Sequence, residues 1–217
     1  MKQKNEIKNL ILSASMLGLL LISAAAGAQT TPPNAAISTV DVVGNGCSAA
    51  NTSITLSPDF KDLSVLFDNY SVEIGQGSNI TQTQLQKNCQ IRLRISIPAN
   101  WSFAFKAIDY RGFAALPASS WGFHRFTYIN SLQQVSSMRE ATIKGPFNQD
   151  YQVHIEQKPE RMVWTPCGLK EHPITLYSQL GVSFLPRSTD RSLAQLALDS
   201  ADLSVKQSFS MVWRQCK

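Results

Sequence analysis

QIRLRISIP, Gln90 to Pro98, decides the fold. Ile91, Leu93, Ile95 and Ile97 alternate with Arg92, Arg94 and Ser96, so an extended chain sends its aliphatic side chains to one face and both arginines to the other. The same period of two runs through HPITLYSQLGVSF, where Ile174, Leu176, Leu180, Val182 and Phe184 share a face. Near the C-terminus Leu203, Val205, Phe209, Met211 and Trp213 oppose Ser204, Lys206, Ser208 and Ser210. Shorter stretches with this character are Ser53 to Leu56, Leu63 to Phe67, Tyr70 to Ile74, Trp101 to Ala107 and Tyr151 to Ile155. Turn residues cluster between them, at Ser57-Pro58-Asp59, Gly75 to Asn79, Pro98-Ala99-Asn100 and Lys144-Gly145-Pro146. Helical spacing shows only at Leu193, Leu196 and Ala197, where Ser188 to Leu198 reads as a short helix or as the lead into a strand. With no strand-helix-strand rhythm, the pattern predicts an all-β, antiparallel-rich sandwich of two sheets, each with one wet face.

The first residues have a different logic. Lys2, Lys4 and Lys8 precede an apolar run from Leu10 to Ala26, followed by Ala26-Gly27-Ala28. That order is a secretory signal peptide over residues 1–28, with cleavage expected after Ala28. Residues 29–36, QTTPPNAA, have the Pro-rich character of a linker, leaving a single domain over 37–217. No later run is apolar enough to span a bilayer as a helix. Cleavage leaves 17 basic against 14 acidic residues, the basic ones scattered singly, which argues against nucleic acid as a partner. The short lysine-rich leader has a bacterial look, with periplasm or cell exterior as the destination. In that setting the N-x-S/T sequons at Asn51, Asn69, Asn79 and Asn100 are ordinary polar positions, whereas a eukaryotic route would make them glycan acceptors.

Four cysteines, Cys47, Cys89, Cys167 and Cys216, lie far apart in sequence. Structural zinc sites draw on closely spaced pairs and redox catalysts on C-x-x-C, and neither spacing occurs. An even count in an exported chain reads as two disulfides, of which three pairings exist on paper. Cys47 with Cys89 and Cys167 with Cys216 is the favoured set. The last two cysteines each close a Met-Val-Trp-x-x-Cys segment, MVWTPC from Met162 and MVWRQC from Met211. An antiparallel pairing centred on a Cys167–Cys216 bridge would put Trp164 opposite a position beyond the chain end. A parallel pairing, or a contact across the sandwich, would allow such a bridge while keeping both tryptophans in packed positions. Pro166 lacks a donor, so the first segment belongs on an edge or at a strand end.

Taken in order, Gly46-Cys47, Lys87-Asn88-Cys89-Gln90, Asp109-Tyr110-Arg111-Gly112, Gly145-Pro146-Phe147, Val163 to Gly168 and Trp213-Arg214-Gln215-Cys216 resemble the secreted domain of unknown function 4360 family. The resemblance runs from about Val42 to Cys216. It implies a small exported four-cysteine protein of sandwich fold, in which the repeated Trp-x-x-Cys is framework, and it brings no catalytic residue.

Chemistry-bearing constellations are sparse. His124, His154 and His172 are isolated, with no HxH, HxxxH or HExxH, and there is no G-x-S-x-G. No cofactor, no metal site and no catalytic residue is expected, and the chain reads as a non-enzymatic binding or envelope protein. Asp109 and Arg111 would share a strand face and form an ion pair. The competing reading is a hydrolase whose acid and base, Asp109 with His124 or His154, meet only in the fold. The densest aromatic stretch, WGFHRFTY, offers Trp121, Phe123, His124, Arg125, Phe126 and Tyr128 as a ligand surface for carbohydrate or a cell-surface protein, as an adhesin or effector would use. Its apolar parity changes at His124-Arg125, which predicts a bulge or loop tip there.

Overall fold

The computed structural model describes residues 31–79, 81–132, 135–198 and 206–217. Among them the strands are β1 (Ala36–Gly44), β2 (Thr52–Leu56), β3 (Asp62–Phe67), β4 (Ser71–Ile74), β5 (Gln84–Ser96), β6 (Trp101–Leu116), β7 (Ser120–Asn130), β8 (Val135–Lys144), β9 (Phe147–Glu156), β10 (Glu171–Phe184), β11 (Ala194–Ala197) and β12 (Lys206–Gln215). They form two antiparallel sheets. One has the order β1-β5-β10-β7-β8; the other runs β2-β3-β12-β6-β11-β4, with β9 paired to the second edge of β6. The all-β sandwich read from the alternation is thus the fold. The leader, Leu203 and Val205 lie outside the described residues.

All of the stretch Gln90–Pro98 but its last two residues forms the second half of β5, where Ile91, Leu93 and Ile95 are each no more than 3% exposed. On the inner face of the same sheet, Ile91 lies beside Leu176 and Leu93 beside Ile174 of β10. Contacts between the sheets are aromatic: Tyr128 of β7 stands edge-on to Phe105 of β6 at 4.9 Å, and Phe126 lies 4.8 Å from Phe209 of β12.

Parity along β6 changes once. Ser210 pairs with Ala107 and Met211 with Phe105, leaving Lys106 as an extra residue. That bulge lets Phe103 and Phe105 point inward before it and Ile108, Tyr110 and Ala114 after it, although the two sets differ in parity. β7 has no such device. Its residues alternate buried and half-buried without interruption from Ser120 to Asn130, in unbroken register with both neighbours. The break expected at His124-Arg125 is therefore absent: Trp121 and Phe123 tolerate the outer face, so apolarity did not mark the inner one. Ser188 to Leu198 forms no helix; β11 fits between β4 and β6 as a short strand.

MVWTPC belongs to no strand. Residues 157–168 run along the free edge of the first half of β6, where the Gln157 amide donates to the Lys106 carbonyl, Thr165 N to Phe103 O and Gly168 N to Ala99 O. MVWRQC, in contrast, falls almost wholly within β12, and its cysteine amide donates to Asn100 O. The Cys167–Cys216 disulfide straddles the start of β6, with Cα atoms 5.9 Å apart, so neither a parallel pair nor a contact through the core was needed. Trp213 enters the core and donates its indole N–H to Phe60 O, while Trp164 stays outside beneath the Arg214 guanidinium at 4.2 Å. The other disulfide, Cys47–Cys89, is buried.

Candidate functional site

The six residues of the aromatic stretch are divided by the pleat of β7. His124, Phe126 and Tyr128 point into the core, each 2% exposed, so they form no part of a ligand surface. His124 bonds Ser178 Oγ through Nε2 at 2.8 Å and meets the Tyr110 ring edge-on at 4.1 Å. Burial pushes its imidazole down to about 3, so the ring is neutral. Trp121, Phe123 and Arg125 point outward from the five-stranded sheet and are half-buried.

On that outer face the strand register lays out two parallel rows. Gln86 of β5 is opposite Gly181 of β10, which is opposite Phe123; Gln84 is opposite Ser183, which is opposite Trp121. The result is a groove running along β10. Ser183 lies on its floor, Trp121 and Phe123 form one wall, and Gln84 and Gln86, with Gln82, the other; the Phe123 ring itself covers Gly181. Its volume is about 340 Å³. The two wall rings have centroids 5.8 Å apart and are inclined at 33° to each other. The amide wall belongs to a longer series in TQTQLQKNCQ, where Gln82, Gln84, Gln86, Asn88 and Gln90 recur at every second position. That period-two amide pattern was the available signal for this wall, and the aromatic stretch alone missed it.

In the next row Arg125 reaches across from β7 to β10, donating from Nη1 to Gln179 Oε1 at 3.3 Å, and is held from β8 by Glu140 at 2.6 Å. Its guanidinium lies 5.3 Å from the Phe123 ring centre.

The pair singled out in Asp109-Tyr110-Arg111-Gly112 behaves differently from expectation. Asp109 meets His154 Nδ1 at 2.6 Å across β6 and β9, in place of Arg111. A directly opposed residue lies closer than one two positions along the same strand, which favours the cross-strand partner. Ser208 of β12 faces Asp109 from the other side. The row Ser208, Asp109, His154 puts the carboxylate between hydroxyl and imidazole, an order that gives the imidazole no contact with the serine proton. His154 is 56% exposed on an open sheet face. Among the described residues no group of three or more His, Cys, Asp or Glu is placed to hold a metal ion, and no helix is long and apolar enough to cross a membrane.

Comparison with known proteins adds the following. An uncharacterized secreted protein of Arthroderma benhamiae is 33% identical over 174 residues, covering 80% of this chain and 68% of the relative. Among solved structures, the chain is similar to the carbohydrate-binding module TmCBM61 in complex with beta-1,4-galactotriose, with a TM-score of 0.33 and 7% identity over 82% of this chain and 89% of that one. It is similar also to the mannan-recognising module TmCBM27, with a TM-score of 0.30 and 7% identity over 81% and 98%. Likenesses of this size fix neither fold nor ligand. The match of residues 33–216 to the domain of unknown function 4360, together with the fungal relative, shows that the chain belongs to that family.

Proposed function

We propose that this chain is an exported, non-catalytic binding protein that holds carbohydrate in the groove along β10. The observation that carries this reading is the pairing of an aromatic wall with an amide wall across Ser183 of β10. A sugar ring has an apolar C–H face and a rim of hydroxyls. The Trp121 and Phe123 rings suit the face, and glutamine amides, which donate and accept at once, suit the rim. A groove of this size fits a few sugar units. A stable protein partner would cover roughly 800 Å² on each side, far more than the groove offers. Export through removal of residues 1–28 is part of the proposal, supported by the two disulfides and the secreted description of the fungal relative, while a bacterial source rests on the leader alone.

The test is titration of the purified mature chain with dextran, laminarin, xyloglucan and galactomannan, followed by tryptophan fluorescence. At least one is expected to bind, and Trp121→Ala is expected to weaken it about tenfold or more, equivalent to about 1.4 kcal/mol. Binding of none, or binding unaffected by Trp121→Ala, overturns the reading. N-terminal sequencing of the exported protein checks its first residue, expected to be Gln29.

The Asp109–His154 contact favours a second reading, a hydrolase using His154 as a base. Turnover of an ester or glycoside by the pure protein, lost in His154→Ala, would establish it in place of the first.

A further inference from the structure

Of the two Met-Val-Trp-x-x-Cys segments, only the second spends its tryptophan on the core. Trp213 is buried, whereas Trp164 stays half-buried outside, with the Arg214 guanidinium 4.2 Å from its ring centre. We propose that Trp164 and Arg214 form a second binding site, distinct from the groove along β10, and that it takes a carboxylate-bearing sugar unit, the uronate of an acidic polysaccharide.

Arg214 follows the inward-pointing Trp213 on β12, so the pleat turns it outward, opposite Ser102 of β6. Its side chain is exposed, and among the described residues it makes neither an ion pair nor a hydrogen bond; the indole is its contact. That contact prepares the arginine for a ligand. A guanidinium held over a ring keeps its charge and all its N–H donors, and it has already given up part of the rotamer freedom that binding would otherwise cost. A carboxylate fits such a fork, since it accepts two parallel hydrogen bonds in one plane.

The rest of the ligand meets an apolar shelf. Met162, Val163 and Pro166, each half-buried, line a shallow depression of about 500 Å³ together with Trp164 and Arg214. A fixed cation beside an apolar shelf matches a hexuronate, whose ring has a C–H face and carries a single carboxylate. A phosphate monoester, with about two negative charges, exceeds what the guanidinium alone balances. An extended acidic peptide would need a free strand edge to pair with, and the strap 157–168 already covers the edge of β6 through the amides of Gln157, Thr165 and Gly168. The segments that build the shelf also carry exposed Lys158, Arg161 and Lys217 against Glu160, so the surroundings favour an anion.

The experiment follows by calorimetry, at about 0.15 M salt to screen long-range attraction, the binding of three polymers to the mature protein. They are polygalacturonate, the same polymer with its carboxyl groups reduced to alcohols, and poly-L-glutamate. Polygalacturonate is expected to bind, and Arg214→Gln to weaken it about tenfold or more, the scale of a hydrogen bond to a charged group, with an unchanged melting temperature. Trp121→Ala is expected to leave that binding unaltered, because the groove opens on the other sheet. The reduced polymer has no carboxylate, so any affinity it shows is expected to be the same with and without Arg214→Gln. Failure of polygalacturonate to bind, or poly-L-glutamate bound as tightly, overturns the inference. So does a loss through Trp121→Ala in place of Arg214→Gln, which would put acidic sugars in the groove. The reading of the groove itself stands or falls separately, on the four polysaccharides named above.

Discussion

The ring of Phe123 occupies the place where a side chain on Gly181 would begin: Cε1, Cζ and Cδ1 all crowd the position a Cβ would take. Aromatic wall and groove floor are therefore one unit, with Phe123 seated on bare backbone. Gly181→Ala is expected to tilt the ring away from Trp121 and weaken sugar binding about tenfold, ~1.4 kcal/mol. Retained affinity together with an unchanged melting temperature would show that the seat does not matter.

Acid should destabilise the protein through His124. Its folded value near 3 lies below the ordinary 6.5, so the unfolded chain binds the proton more readily. The contribution is complete above pH 6.5 and is lost as the pH falls from 6.5 toward 3. From a shift of that size the loss reaches about 4 to 5 kcal/mol. His172, also lowered mainly by burial, acts in the same direction. Denaturant titrations across this range should show a shallower pH dependence in His124→Gln than in the unaltered chain, and parallel curves would refute the assignment.

The two disulfides should differ in their response to reductant. Cys167 is exposed, whereas Cys47 and Cys89 are 6% and 0% exposed. Under native conditions dithiothreitol followed by alkylation and mass spectrometry is expected to label Cys167 and Cys216 first, with Cys47 and Cys89 protected until the fold opens. Replacing Cys167 and Cys216 together by serine should lower stability by about 2 to 4 kcal/mol, the usual range for a bridge closing a loop of this order.

Asp109 and His154 form an exposed pair, and such pairs contribute little. Asp109→Asn and His154→Ala are each expected to change unfolding free energy by less than about 1 kcal/mol and to leave sugar binding unaltered. A larger loss of stability would mean that the pair is part of the framework.

Alternation in β5, β10 and β12 was enough to reveal the sandwich because each has an apolar face against a more polar one. β8 was not legible: Met138 is 58% exposed on its outer face, and VSSMREATIK lacks a clean inner stripe at the sheet edge. β7 misled for the opposite reason, since both of its faces are aromatic and only the partner strands decide which is buried. His124 looked like a polar surface group, and its burial depends on Ser178 and Tyr110, distant in sequence. The groove was half visible. Trp121 and Phe123 could be nominated from the chain, but their floor on β10 and the facing amides on β5 become neighbours only through register.

Ala36 of β1 pairs with Ser96 at one end of β5, and Cys216 is fastened to Asn100 just beyond it, while Gln84 and Gln86 of the groove lie at the other end of the same strand. At ~3.4 Å per residue, the ten positions between Gln86 and Ser96 put both chain-end attachments roughly 30 Å from the groove. Whatever is joined before Ala36 or after Lys217, whether a surface tether, a fused partner or an affinity tag, leaves from the pole opposite the binding face. An immobilised copy would present its groove outward whichever end is held.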